Sequence, residues 1–312
     1  MIENVVSIGL PVDEKLVIQK NRMQPALPTG KEKRFTIVTG THGDELEGQF
    51  VCYEVVRRIR ENLECLKGIV DIFPAFNPLG IDSITRGIPM FDLDMNRIFP
   101  GSRNGNTTEY IAAELVEDIV GSDICVDIHA SNIYLREMPQ VRMSEDTQEQ
   151  LMPYAKLLNV DFVWVHASAT VLESTLAHSL NMLGVPTLVV EMGVGMRVTQ
   201  DYGYQLVDGL FHLMHQMGIW EGEVSPVREP IVSRDGQVGF LNAEAPGLFR
   251  PCRPIWTHVE KGEAVGEILS PLTGLVEHRV EAPCEGTIFT IREYPVVSPG
   301  SLLGRILEGV RV

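Results

Sequence analysis

Between residues 34 and 222 the chain alternates short apolar runs with longer stretches whose apolar positions recur at helical spacing. The runs 35–38, 69–73, 124–128, 162–165 and 187–190 are mostly β-branched or aromatic and are bounded by Gly, Pro or Asn, which predicts strands. The stretch after His42 predicts a helix with Leu46, Phe50, Tyr53, Val56 and Ile59 on one face, and with Asp44 and Glu47 as a capping box at its start. A second helix is expected over 108–120, with Ile111, Leu115 and Ile119 inward and Gly121 as its stop. A third is expected over 204–217, ending at Gly218. Residues 1–33 read as irregular, punctuated by Pro25, Pro28 and Gly30. Strands alternating with helices predict an α/β fold with a parallel or mixed sheet and helices on both faces.

The pattern changes near residue 222. Nine of the nineteen prolines follow Val224, and no helical period continues beyond that point. Val259-x-x-Gly262-x-x-x-Gly266-x-Ile268-Leu269 recurs as Val297-x-x-Gly300-x-x-x-Gly304-x-Ile306-Leu307, with Ala282-Pro283-Cys284-Glu285-Gly286 between the copies. Two strand–turn–strand units predict a small all-β barrel or sandwich. The pattern resembles the barrel-sandwich of lipoyl and biotinyl carrier domains. The modifiable lysine of those domains is missing, since Lys261 lies elsewhere in the pattern, so the tail reads as a structural or lid module. A chain of 312 residues exceeds what one core usually serves. The expected division is an α/β/α domain over 1–222 and a β-rich C-terminal domain over 223–312.

Composition narrows the functional classes. The content of 44% hydrophobic residues suits a globular protein with a sizeable core. No apolar run reaches the ~18 residues of a membrane span. The opening residues lack a charged segment followed by an apolar one, so no export signal is expected. The five cysteines follow neither a disulfide nor a zinc-binding spacing, Cys125 reads as inert core, and the expected setting is the cytoplasm. A formal net charge of −16 argues against nucleic acid as a partner and would repel an anionic substrate at long range, unless local arginines overcame that field. The sequence leaves oligomeric state open, a homo-oligomer included.

The chemistry concentrates in Thr41-His42-Gly43-Asp44-Glu45, at the junction of a predicted strand and helix. One helical turn brings residues i and i+3 to the same side, so the His42 imidazole and the Glu45 carboxylate can share one ion. Alternation along 124–128 puts Cys125, Asp127 and His129 on one face, where His129 would close a His–Glu–His set and Asp127 would orient it. Two histidines and a glutamate with an open fourth position are the ligands of a hydrolytic zinc site. The plain alternative is that His42 belongs to a polar loop and His129 caps a strand. His212 and His215 fall mid-helix, and His166, His178, His258 and His278 carry no usable pattern. A phosphate-binding Gly-rich loop, a Gly-x-Ser-x-Gly elbow and a His-Glu-x-x-His helix are all absent.

His42-Gly43-Asp44-Glu45, Asp94-Met95-Asn96-Arg97, Asp127-Ile128-His129 and Glu191-Met192-Gly193, in that order, resemble the succinylglutamate desuccinylase/aspartoacylase family, which is related to the zinc carboxypeptidases. The resemblance spans about residues 35–200. It implies one Zn2+ per chain on His42, Glu45 and His129, and a general base at Glu191. Strand alternation agrees, since Thr187, Val189 and Glu191 share a face and Gly193-Val194-Gly195 invites close backbone approach. It further implies that Arg86 stabilises the oxyanion, that Asn96 and Arg97 hold the substrate carboxylate, and that Tyr294 of the tail enters the site. An additional arginine used by some members has no counterpart in 173–190. The implied reaction is removal of the acyl group from a small N-acyl amino acid. A zinc carboxypeptidase acting on peptides is the runner-up. A non-catalytic module with a vestigial metal site is the remaining class, and the intact ligand set argues against it.

Overall fold

Residues 1–167 and 173–311 are described by the structure, a computed structural model. Each strand expected before residue 222 forms: β3 (Arg34–Thr39), β4 (Ile69–Phe73), β5 (Ile124–Ala130), β7 (Phe162–His166) and β8 (Thr187–Gly193). Three more join them. Of the first 33 residues, 24–33 are irregular as expected, but the stretch before them forms a hairpin of β1 (Ile2–Gly9) and β2 (Lys15–Met23) that pairs with β4. Its alternation is broken by Lys20, which points inward yet is only 2% exposed, because Asp118 and Asp71 neutralise it at 2.6 and 3.5 Å. The third, β6 (Leu135–Ser144), contains Pro139, a residue tolerated within a sheet only at edges or bulges.

Along the main sheet the order is β1-β2-β4-β3-β5-β8-β6, with β4, β3, β5 and β8 parallel and β6 antiparallel to β8. One face packs α1 (Glu47–Glu61) and α6 (Gln200–Gln216) over Ile37, Val126, Ile128 and Val190. The other packs α3 (Thr107–Ile119) and α5 (Leu176–Met182) over Val38, Phe73 and Cys125. Short helices α2 (Pro78–Ser83) and α4 (Gln148–Ala155) complete an α/β/α arrangement. Cys125 is fully buried, and burial pushes its thiol well up.

Helix α3 matches its expected face, with Ile111, Leu115 and Ile119 buried and Gly121 following in a left-handed turn (φ 87°). Helix α1 differs. Its buried stripe is Val51, Cys52, Val55 and Ile59, while Tyr53 is exposed and Phe50 packs edge-on against Tyr204 of α6. A helix sandwiched between a sheet and another helix carries apolar residues on two sides, which obscures its phase. The expected capping box does not form, because the Glu47 carboxylate accepts hydrogen bonds from Thr199 instead.

Beyond residue 222 come β9 (Ile231–Arg234), β10 (Val238–Asn242), β11 (Gly247–Pro251), β12 (His258–Val259), β13 (Ala264–Leu269), β14 (Val276–Glu281), β15 (Gly286–Arg292), β16 (Val296–Val297) and β17 (Leu302–Glu308). The sequence repeat is a structural one. β12 and β16 each lead through a left-handed glycine, Gly262 (φ 81°) or Gly300 (φ 85°), into β13 or β17. These glycines donate to Ala282 and Ala243 at 2.8 and 2.7 Å. Strands β14-β13-β11-β16 form a second sheet over a core of Leu241, Phe249, Val265, Ile288, Leu303 and Ile306. The opposing strands do not stand apart, since β15 pairs with β6 and carries β17 and β10, so the main sheet runs on into the tail. No helix among the described residues is long and apolar enough to cross a membrane.

Candidate metal centre and active site

Chain order sets where the cleft opens. From β3 the chain moves to β4 on one side, and β5 then pairs on the other, so the C-terminal ends of β3 and β5 flank a switch in strand order. Crevices of open α/β sheets form there. His42 and Glu45 follow β3, His129 ends β5, and Glu191 sits on β8 directly beside His129 in the ladder. Parallel neighbours lie about 4.8 Å apart. All four line a cleft of about 800 Å³, with Thr187, Val189 and Asp127 of the same strand faces along its wall.

His42, Glu45 and His129 converge. Glu45 Oε1 is 2.8 Å from His42 Nδ1, and Oε2 is 2.9 Å from His129 Nδ1. One potential ligand atom from each of the three lies within 4.8 Å of the others, and all three residues are buried. Each imidazole is gripped at its other nitrogen by an aspartate: His42 Nε2 by Asp94 and His129 Nε2 by Asp127, both at 3.0 Å. That outer carboxylate is the partner metal-bound imidazoles use to fix ring orientation. His42 Nδ1 is moreover buried without a well-formed hydrogen bond. Burial works against charge on both rings, yet the carboxylates win: Asp94 and Glu45 raise His42, and Asp127 and Glu45 hold His129 well above its ordinary value. Burial likewise opposes charge on Glu45 and Asp94, and the neighbouring imidazoles hold both far below the usual carboxylate range. The cluster therefore favours positive charge at its centre, and its donors fit a divalent cation with two nitrogen ligands and one oxygen ligand.

Close backbone contact holds the His42 loop. A Cβ on Gly43 would lie 2.0 Å from the carbonyl carbon of Gly80 in α2, and the Gly43 amide donates to the carbonyl of Arg86 at 3.2 Å. Arg86 is thereby fixed beside the cluster, its Nη1 2.9 Å from Glu45 Oε1 and its Nε 3.5 Å from Asp94. Residues 95–97 form one 3-10 turn capped by Asp94, whose Oδ1 accepts from the Asn96 amide. Asn96 and Arg97 reach the cleft from this turn, Asn96 Oδ1 accepting from the Leu176 amide at 2.9 Å and Arg97 staying half exposed. After Glu191, Gly193 (φ 68°) passes so near Glu47 that a Cβ would sit 1.8 Å from its Oε1. Burial pushes the Glu191 carboxyl up to about 7, with Arg142 opposing and Glu137 reinforcing the shift.

Tyr294 is not brought in. Its ring is 46% exposed, packs edge-on against Tyr134 at 5.6 Å, and does not line the cleft. The tail instead contributes Arg305, beside Arg142 and Glu137 of β6. His166 and His178 also line the cleft. None of these five stood out in the sequence. Arg142 and Glu137 lie on the strand that Pro139 disguised, and Arg305 sits on a repeat whose other copy has Glu267 at the equivalent position.

Residues 31–217 match the model of the succinylglutamate desuccinylase/aspartoacylase catalytic domain. An N-alpha-acetyl-L-2,4-diaminobutyric acid deacetylase from Halomonas elongata is 25% identical over 305 residues, covering 94% of this chain and 85% of its own. Two solved structures share the fold almost end to end. A succinylglutamate desuccinylase from Silicibacter sp. TM1040 has a TM-score of 0.83 at 22% identity, covering 98% of this chain and 95% of its own. The product-bound ectoine utilization protein EutE (DoeB) from Ruegeria pomeroyi has a TM-score of 0.80 at 20% identity, covering 98% and 94%. With the catalytic-domain match spanning more than half of its length, the chain belongs to the succinylglutamate desuccinylase/aspartoacylase family, whose members are deacylases acting on amide bonds.

Proposed function

We propose that the protein is a zinc-dependent amidohydrolase that removes the acyl group from a small N-acyl amino acid. One observation carries the reading: in a buried His42–Glu45–His129 cluster, His129 lies one strand spacing from the partly buried Glu191, in a cleft large enough for such a substrate. The deacetylase activity named for the Halomonas relative supports an N-acyl amino acid as the substrate class. We take residues 1–222 as the domain holding the centre, and 223–312 as a β-rich domain with its own core that reaches the cleft through Arg305. The proposed setting is the cytoplasm, consistent with five unpaired cysteines.

His42, Glu45 and His129 hold the zinc. Bound there, it supplies a Lewis acid that polarises a carbonyl and lowers the pKa of water. Glu191 accepts the proton of the attacking water and returns it to the leaving nitrogen, and the burial that raises its carboxyl suits a group that must both take and give a proton. Arg86, oriented by Glu45 and Asp94, faces the charge that develops on the acyl oxygen. Asn96 and Arg97 hold the amino-acid carboxylate, the planar guanidinium matching its two oxygens. The products are a carboxylate and a free amino acid.

The test is a screen of the zinc-loaded enzyme against N-acetyl, N-succinyl and longer N-acyl amino acids, run beside dipeptides. Turnover confined to the N-acyl amino acids is the expected result. Preferential cleavage of dipeptides would assign a carboxypeptidase instead.

A further inference from the structure

Three charged side chains of alternating sign line the cleft wall behind Glu191. Arg305 of β17 reaches Glu137 Oε1 through Nη1 at 2.5 Å. Glu137 Oε2 accepts from Arg142 Nη2 at 2.6 Å and from Gln140 at 3.1 Å. Arg142 Nη1 stands 3.4 Å from Glu191 Oε1. Glu137 is only 2% exposed, so its charge is balanced by these arginines and not by water. Both guanidinium carbons also lie 5.6 Å from the ring centroid of Trp164, which limits how far either side chain can swing.

The backbone is bent to make this alignment. Residues 137 and 142 are an odd number apart, so a regular strand would send them to opposite faces. Glu137 pairs with Gly193 and Gln140 with Glu191, which is three residues on β6 against two on β8, a bulge that contains Pro139. The extra residue turns Arg142 to the side of Glu137 and Glu191. Bulges of this kind re-aim side chains beside active sites.

We propose that Arg142 is a positioning residue for Glu191, and that the C-terminal strands hold it in place through Arg305 and Glu137. The proposal rests on Glu191 acting as the general base. Two of Arg142's donor nitrogens face carboxylates of the protein itself, Nη2 on Glu137 and Nη1 towards Glu191, and this fixes the carboxylate against the cleft wall. The tail then takes part in catalysis without touching substrate. The Nε atoms of Arg142 and Arg305 are buried without partners, so clamping of a substrate anion is the rival role. It has a different kinetic signature: loss of a clamp raises KM, whereas a misplaced base lowers kcat.

The experiment measures kcat, KM and zinc content for full-length, zinc-loaded Arg142→Met, Arg142→Lys and Arg305→Met on the best N-acyl amino acid of the screen. A base displaced by about 1 Å predicts a ~100-fold lower kcat for Arg142→Met and ~10-fold for Arg305→Met, with KM within about threefold and zinc unchanged. Arg142→Lys keeps the charge and should recover about tenfold of the loss. A KM raised about tenfold at undiminished kcat, or wild-type kcat in Arg305→Met, overturns the proposal. If Arg142→Met does not fold, Arg305→Met and Arg142→Lys decide on the same criteria. Glu191→Gln is assayed in parallel. Should it keep wild-type turnover, the base assignment is what fails; should it be inactive while the arginine variants behave as wild type, only the positioning role fails.

Discussion

Asp127→Ala and Asp94→Ala strip the same group from two equivalent places, the outer nitrogens of His129 and His42. The distances are equal at 3.0 Å, but the surroundings differ: Asp127 is 1% exposed, and Asp94 is 23% exposed. Removing a carboxylate behind a metal-bound imidazole lowers metal affinity by about 10–100-fold, or about 1.4–2.7 kcal/mol. Water can replace Asp94 at its partly open position but cannot enter freely behind His129. A lost charge-assisted hydrogen bond in a buried setting is worth ~1.5–3 kcal/mol, so Asp127→Ala should fall at the upper end of the range and Asp94→Ala at the lower. Competition with a calibrated zinc chelator at fixed pH measures both. Equal losses, wild-type affinity in Asp127→Ala, or a larger loss in Asp94→Ala would refute the argument that burial, and not distance, sets the size of the effect.

Other outcomes follow from the same geometry. Glu191→Gln should retain zinc and lower kcat by about 10²–10⁴-fold, checked by steady-state kinetics beside metal analysis. Because the His42 and His129 imidazoles are raised above their ordinary value, the apo protein keeps its protons to higher pH than a free imidazole would. Zinc must displace those protons, so its affinity should rise with pH above neutrality and its binding should release protons, measurable by calorimetry in buffers of different ionisation enthalpy. For the apo protein the sign is opposite: stability contributed by these raised groups is fully present below the unfolded value of about 6.5 and is lost as pH rises through the folded one, so the apo Tm should fall across that range. Gly43→Ala would drive a methyl into the backbone of Gly80, which cannot yield as a flexible side chain would; it should dislodge His42 and abolish stoichiometric zinc binding while leaving the far-UV circular dichroism spectrum intact.

Much of the candidate site could be read before folding because His42 and Glu45 follow a regular strand and His129 and Glu191 lie near the ends of two others. Alternation along β5 and β8 is uninterrupted, so spacing put Asp127 with His129 and Val189 with Glu191, each pair on one strand face, while the family resemblance joined the two faces in one site. The repeat in the tail was legible for a similar reason, since Gly262 and Gly300 are fixed by left-handed turns. What escaped lies where local signals conflict with tertiary ones. Lys20 hides β2 because its buried charge is compensated by residues 51 and 98 positions away. Pro139 hides β6, and with it the pair Glu137 and Arg142, because a bulge changes the period on which strand recognition depends. Arg305 reaches the cleft only because the tail strands join the main sheet, which no local pattern in the tail announces. Tyr294 was an expectation from resemblance, and its ring packs on Tyr134 outside the cleft.

X-ray absorption at the zinc edge of the purified, zinc-loaded chain tests the central claim most directly. Two imidazole nitrogens with one or two further oxygens at about 2.0–2.2 Å, at one zinc per chain and lost in His129→Ala, is the predicted result. A shell containing sulfur, or an unchanged spectrum in His129→Ala, would contradict it.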